Sequence, residues 1–131
     1  MQTPTVGKVM TPFPYSIDVG ADVVDARVLM DEHEIRHLPV TQDGKIVGVI
    51  TDRDIQVAGA LSDGEAAARV REVCHMPAYV VSHDTGLDSV LESLIERHIT
   101  SAIVTEDGNL AGVFTLTDVC QMLLERVSGG S

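Results

Sequence analysis

The chain states one pattern twice. Residues 70–119 align with residues 6–55 at a fixed offset of 64, without gaps. About a dozen positions are identical, among them Val9/Val73, Tyr15/Tyr79, Ile35/Ile99, Val40/Val104, Gly48/Gly112, Thr51/Thr115 and Asp54/Asp118. A repeat of this length constrains the architecture before any element is assigned, because each copy is a supersecondary unit that needs a neighbour to cover its apolar face. A lone copy of about 60 residues is marginal in stability. The two copies are therefore expected to pack sheet to sheet as a pseudo-twofold pair, with a cleft between them.

Composition narrows the function classes. A hydrophobic fraction of 44% supports a core, and an aromatic fraction of 3% with no Trp means that aliphatic residues must build it. The formal net charge of −11 argues against a nucleic-acid or anionic-membrane surface, both of which need basic patches. It leaves room for one phosphorylated small molecule, which needs only a local arginine or a helix N-terminus. No apolar run approaches the length of a membrane span, and no leader is legible at the N-terminus. Cys74 and Cys120 do not form a C-x-x-C pair and read as reduced thiols of a cytoplasmic protein.

Each copy reads as strand–helix–strand–strand–helix. Tyr15–Asp18 and Tyr79–Ser82 are the first strands. Helices follow over Val23–Glu34, with Asp22 as N-cap and Asp25 completing a capping box, and over Leu87–His98, started by Thr85 or Gly86. Leu38–Thr41 and Ile46–Ile50 flank Asp43-Gly44; Ala102–Thr105 and Leu110–Phe114 flank Asp107-Gly108. An Asp-Gly pair between β-rich runs signals a hairpin, because both turn positions must tolerate positive φ. A second helix starts near Thr51 or Thr115 and runs to Ala60 or Arg126. The expected division is 1–60 for the first repeat, 61–69 for a linker opening with Leu61–Glu65, 70–127 for the second repeat, and 128–131 for a disordered Ser-Gly-Gly-Ser tail. Met30, Val24 and Leu94 read as core. Phe13 reads as packing or as lining the cleft.

The sharpest motif is Gly48-Val49-Ile50-Thr51-Asp52-Arg53-Asp54, echoed by Gly112-Val113-Phe114-Thr115-Leu116-Thr117-Asp118. It lies where a strand gives way to a helix. Glycine there admits close approach of another group to the backbone. Thr-x-x-Asp is a helix capping box that needs no ligand. A carboxylate at that point also accepts two hydrogen bonds from vicinal hydroxyls. The two roles are compatible: Thr caps while Asp faces the cleft.

The ordered set Val9-Met10-Thr11-Pro12, Arg36-His37-Leu38-Pro39-Val40, Asp43-Gly44 and Gly48–Asp54, with its weaker second copy, resembles a tandem pair of cystathionine-β-synthase (CBS) domains, a Bateman module. The resemblance spans about Val6 to Leu124 and is similar to small stand-alone bacterial CBS-pair proteins. It implies an α/β (α+β) fold of two βαββα repeats. It also implies a non-enzymatic sensor that binds an adenosine-containing ligand, such as AMP, ATP or S-adenosylmethionine, between the repeats. The family's ribose-binding Asp corresponds to Asp118 and Asp54, and its hydroxyl partner to Thr115 and Thr51. A ligand on Asp118 would meet Thr11, Tyr15, Ser16, Arg36, His37, Thr115 and Thr117. One on Asp54 would meet His75, Tyr79, Val80, Thr100, Ser101, Thr51 and Arg53. The second site lacks the Met-Thr-Pro entry, which Cys74-His75 replaces, and Thr100-Ser101 stands where Arg36-His37 stood. The Asp118 site is therefore the expected nucleotide site.

No nucleophile–base–orienter set is legible. His33 with His37, and Cys74-His75 with His83, are thin metal constellations; no metal and no required cofactor are expected. Asp31-Glu32-His33-Glu34 reads as a solvated helix end. The expected partners are the adenosyl ligand, a second copy in a homodimer and an effector protein not named by the sequence. The competing reading is a protein–protein interaction module with vestigial ligand sites.

Overall fold

The computed structural model describes residues 3–61 and 68–129. In chain order the elements begin with α1 (Val6–Val9), β1 (Thr11–Pro12), β2 (Ile17–Asp18), α2 (Val23–His33), β3 (His37–Gln42), β4 (Lys45–Thr51) and α3 (Asp52–Leu61). They continue with α4 (Val70–Val73), β5 (Val80–Ser82), α5 (Leu87–Arg97), β6 (Ser101–Glu106), β7 (Asn109–Thr115) and α6 (Leu116–Gly129). The chain forms two compact units whose borders are out of phase with the sequence repeats. The first unit is Tyr15–Ala78; the second joins the residues up to Pro14 with those from Tyr79 onward.

The first unit holds a three-stranded sheet in the order β2-β3-β4. β2 runs parallel to β3, and β3 is antiparallel to β4. The hairpin turns on Asp43 (φ 53°) and Gly44 (φ 79°), the pair of positive values that a type I′ turn requires. Leu38, Val40 and Ile50 are buried from the sheet, Ala26 and Met30 from α2, and Val70 from α4.

The second unit holds a four-stranded sheet in the order β1-β7-β6-β5. Its hairpin repeats the same chemistry at Asp107 (φ 52°) and Gly108 (φ 81°). Both hairpins shift register at the same place, between Val40 and Thr41 and between Val104 and Thr105. The core is Val6, Leu87, Val90, Leu94, Ala102, Val104 and Phe114. Each large side chain in it contributes roughly 1.5–3 kcal/mol by leaving water.

Several expectations need correction. The sequence pattern gives no sign of the entry elements α1, β1 and α4, because segments of two to four residues carry no periodicity. The first strands are shorter than expected: Tyr15 and Ser16 precede β2, and Tyr79 precedes β5. Helices α2 and α5 stop one residue early because Glu34 and His98 take left-handed C-cap conformations, both at φ 54°. Asp22 occupies the N-cap position of α2 but makes no side-chain cap bond. Its Oδ1 instead accepts from Arg69 Nη1 at 3.1 Å, so the Asp22–Asp25 box does not form. Val24 is exposed, because Ala26 and Met30 take the inward stripe of α2. Phe13 is buried and packs. Thr51 and Thr115 close strands, and the helices begin one residue later. Ser128 and Gly129 belong to α6, where Ser128 Oγ donates to the Leu124 carbonyl at 2.7 Å. Leu61 ends α3; residues 62–67 of the expected linker and 130–131 of the expected tail lie outside the described residues.

Candidate functional site

Each unit carries one aspartate at the third position of the helix that follows its hairpin: Asp54 on α3 and Asp118 on α6. The local sequence explains the placement. Thr51 N–H donates to Asp54 Oδ2 at 2.9 Å, and Asp54 N–H donates to Thr51 Oγ1 at 3.1 Å. Thr115 N–H donates to Asp118 Oδ2 at 2.8 Å, and Asp118 N–H donates to Thr115 Oγ1 at 3.4 Å. These are reciprocal capping boxes that satisfy two otherwise orphaned helix N–H groups. Both carboxylates sit in the first turn, where the helix dipole favours negative charge.

Capping commits only Oδ2. The other oxygen of each carboxylate meets the segment that enters beside the last hairpin strand. In the second unit that segment is β1, antiparallel to β7 with Thr11 opposite Val113 and Pro12 opposite Gly112. Thr11 Oγ1 donates to Asp118 Oδ1 at 2.9 Å. In the first unit the segment is Cys74–Met76, which lies along β4. Val49 N–H donates to the His75 carbonyl at 3.0 Å, and His75 N–H to the Val49 carbonyl at 2.9 Å. His75 Nε2 lies 2.7 Å from Asp54 Oδ1.

The glycines make this approach possible. A Cβ on Gly112 would lie 2.6 Å from both the Thr11 carbonyl oxygen and Met10 Sδ. A Cβ on Gly48 would lie 2.5 Å from the His75 carbonyl oxygen and 2.8 Å from Met76 Cγ. The group that glycine admits to the backbone is the chain's own entering segment.

The remaining candidates fall as follows. Thr11, Thr115, Thr117 and Asp118 are in the second unit, with Thr117 exposed on the first turn of α6. Tyr79, Val80, Thr100 and Ser101 are in that unit too. Ser101 is buried opposite Thr115 in the ladder, and the Thr100 carbonyl accepts from Leu116 N–H at 3.1 Å. Tyr15, Ser16, Arg36, His37, Thr51, Arg53 and Asp54 are in the first unit. His37 lies opposite Thr51, and the Arg36 carbonyl accepts from Asp52 N–H at 3.0 Å. The segment before the central strand therefore abuts the capped helix end of its own unit, in both units.

Sequence reading missed a pair of contacts that the repeat offset encodes. The Tyr15 ring stacks on His33 with centroids 4.4 Å apart. The Arg97 guanidinium sits 4.5 Å from the Tyr79 ring centroid. His33 and Arg97 are related by the same offset of 64, so the tyrosine ahead of each first strand is covered by the end of the following helix, once by imidazole and once by a permanent cation.

Burial pushes the Cys74 thiol above its ordinary pKa; its backbone hydrogen bond opposes this and the Asp54 charge adds to it. Among the described residues no group of three His, Cys, Asp or Glu side chains is arranged to hold a metal, and no helix is long and apolar enough to cross a membrane. The second unit also carries an apolar hollow of about 230 Å³ lined by Leu87, Leu91, Phe114, Val119, Met122 and Leu123, with Arg126 at its edge. Chemically, each aspartate is a fixed acceptor with one oxygen tied to the backbone and one addressed by a side chain. That arrangement suits a vicinal diol.

The model of the CBS domain matches residues 6–60 and again 70–125. The chain is 23% identical over 127 residues to the CBS domain-containing protein YhcV of Bacillus subtilis, covering 97% of this chain and 91% of that protein. It superposes on the CBS domain of the bacterial CNNM/CorC family Mg²⁺ transporter in complex with ATP with a TM-score of 0.75 at 29% identity, covering 92% of this chain and 87% of the other. It superposes on CBSX2 in complex with AMP with a TM-score of 0.71 at 27% identity, covering 93% and 97%. Of two further relatives that are named as enzymes, the chain spans only 21% of the length.

Proposed function

The chain belongs to the CBS-domain family, and from that premise we propose that it is a regulatory module that binds an adenosine-containing ligand and does no chemistry on it. The observation that carries this reading is the Asp118 carboxylate, fixed through Oδ2 by its own helix and met at Oδ1 by a single small hydroxyl. A ribose presents two adjacent hydroxyls, and a carboxylate with its lone pairs fixed in place accepts both. Two structural relatives of 27% and 29% identity hold AMP and ATP, which supports an adenosyl ligand over other diols. From the resemblance, Thr115 and Thr117 attend the ribose, Tyr15 and Ser16 the base, and Arg36 and His37 the phosphates. Asp54, with Thr51 and Arg53, is the second site.

A ligand changes the protein only as far as it prefers one arrangement over another, and the signal leaves through a partner. We include a homodimer in the proposal. Leu116, Leu123 and Val127 form an exposed stripe on α6, the kind of face that a second copy or an effector covers. The same stripe and the neighbouring hollow favour the interaction-module reading if no ligand binds.

Titration calorimetry with AMP, ADP, ATP, S-adenosylmethionine and NAD(H) tests the proposal. The expected result is sub-millimolar binding of at least one of them, weakened about tenfold or more by Asp118→Ala and less by Asp54→Ala. No binding by any member of the panel overturns it. Equal losses from the two variants overturn the ranking of the sites.

A further inference from the structure

We propose that His75 is a plug on the Asp54 site, so that the two sites of this chain fill in a fixed order, Asp118 first. The proposal rests on the reading above that both aspartates hold a ribose diol. It adds the residue that makes them unequal.

The two sites form a controlled pair. Both aspartates are third residues of capped helices, with Oδ2 bound by the N–H of Thr51 or Thr115. Both glycines admit the entering segment to the same depth, 2.5 Å and 2.6 Å from carbonyl oxygen to a notional Cβ. The backbone frame is thus duplicated, and the difference lies in what reaches Oδ1. At Asp118 it is the Thr11 hydroxyl at 2.9 Å. At Asp54 it is the His75 imidazole at 2.7 Å.

The two groups differ as obstacles. A hydroxyl is compact and both donates and accepts. It can turn and accept from an incoming ribose hydroxyl, joining the new network without vacating its place. An imidazole donor nitrogen offers no acceptor in return, and a five-membered ring takes up more of the space beside the carboxylate than a hydroxyl does. Its hydrogen bond to a carboxylate oxygen is charge-assisted, as the Thr11 bond is, so the two differ in bulk and in acceptor capacity. A diol reaching Asp54 therefore has to displace the ring.

Exposure shows that displacement is feasible. The Asp54 side chain is 14% exposed and the His75 side chain 69%. The carboxylate is the fixed member, and the imidazole is solvated over most of its surface. It can swing away without disturbing the buried residues beneath. This makes His75 a removable plug, with Asp54 a site held in reserve until ligand concentration suffices to unseat it.

The test isolates the Asp54 site by titrating AMP and ATP into the full chain carrying Asp118→Ala, with and without His75→Thr. The expected result is about tenfold tighter binding when His75 is replaced, equivalent to about 1.4 kcal/mol. The converse variant, Thr11→His in an Asp54→Ala chain, is expected to weaken the Asp118 site by a similar factor. Thermal melts of each variant check that the fold is kept, and His75→Ala separates loss of the ring from gain of a hydroxyl. If wild-type chain binds but His75→Thr and His75→Ala both leave the Asp54 site no tighter, the plug is refuted and the ligand-binding reading stands. If wild-type chain binds neither nucleotide, both fall.

Discussion

The two units are built on one backbone plan and finished differently. In each, an Asp-Gly hairpin hands its last strand to a helix capped by Thr-x-x-Asp, and an entering segment crosses a glycine to touch that aspartate. The first unit finishes the contact with an imidazole and the second with a hydroxyl. The comparison separates what folding demands from what a ligand meets. Oδ2 serves the helix in both units and has no freedom to differ. Oδ1 serves no helix, and that is where the units diverge.

The comparison can be broken most forcefully at the glycines. Gly112→Ala and Gly48→Ala each drive a Cβ into a carbonyl oxygen of the main chain, which cannot rotate away as a side-chain end could. Each is expected to cost about 1–3 kcal/mol in a urea or thermal melt, the usual range for overpacking. Loss at one position and indifference at the other would show that the shared plan is only apparent.

A smaller effect is expected at Cys74, for which the second unit's sequence counterpart is Met10. Its thiol is pushed up by burial and by the Asp54 charge, and the thiolate is the reactive form. At pH 8, Cys74 is expected to react with a disulfide reagent several-fold more slowly than the exposed Cys120. Asp54→Asn removes the added charge and should raise the Cys74 rate. An unchanged rate would mean that the aspartate's field does not reach the thiol.

The smallest effect sharpens the comparison at a surface turn. Ser82 and Asp84 stand where the first unit has Asp18 and Gly20. In the first unit the Asp18 carboxylate accepts from Gly20 N–H at 2.8 Å. In the second, the Ser82 hydroxyl chiefly holds the Asp84 carboxyl below its ordinary pKa. A depressed folded-state pKa stabilises above the unfolded value near about 3.9, and that contribution is lost as pH falls through the folded value. A carboxyl NMR titration should show the Asp84 midpoint rising in Ser82→Ala. No rise would remove the serine as cause.

Much of this was legible from sequence for reasons specific to the residues. Asp43-Gly44 and Asp107-Gly108 announced their turns because few other pairs accept two positive φ values. The capping boxes were legible because Thr-x-x-Asp is a local signal, closed within one turn. The entering segments were reached only through the resemblance, which set Thr11 with Asp118 and His75 with Asp54; no local signal shows them, because Thr11 reaches Asp118 from 107 residues away and four-residue helices carry no period. Asp22 misled for the opposite reason. Its local pattern was right, but Arg69, distant in sequence, took its carboxylate. The stacking of His33 on Tyr15 lay hidden in a run that reads as a solvated helix end.

The phase of the repeat has a topological consequence. The first unit, Tyr15–Ala78, is a continuous stretch one full offset of 64 residues long. The second is circularly permuted relative to it: it opens with Tyr79, runs to the end of the described chain, and is completed by the residues before Tyr15. The period that was copied and the period that folds are thus the same length but begin at different residues. Trimming the first fourteen residues would leave the Tyr15–Ala78 sheet whole and strip an edge strand from the sheet formed by the other end of the chain.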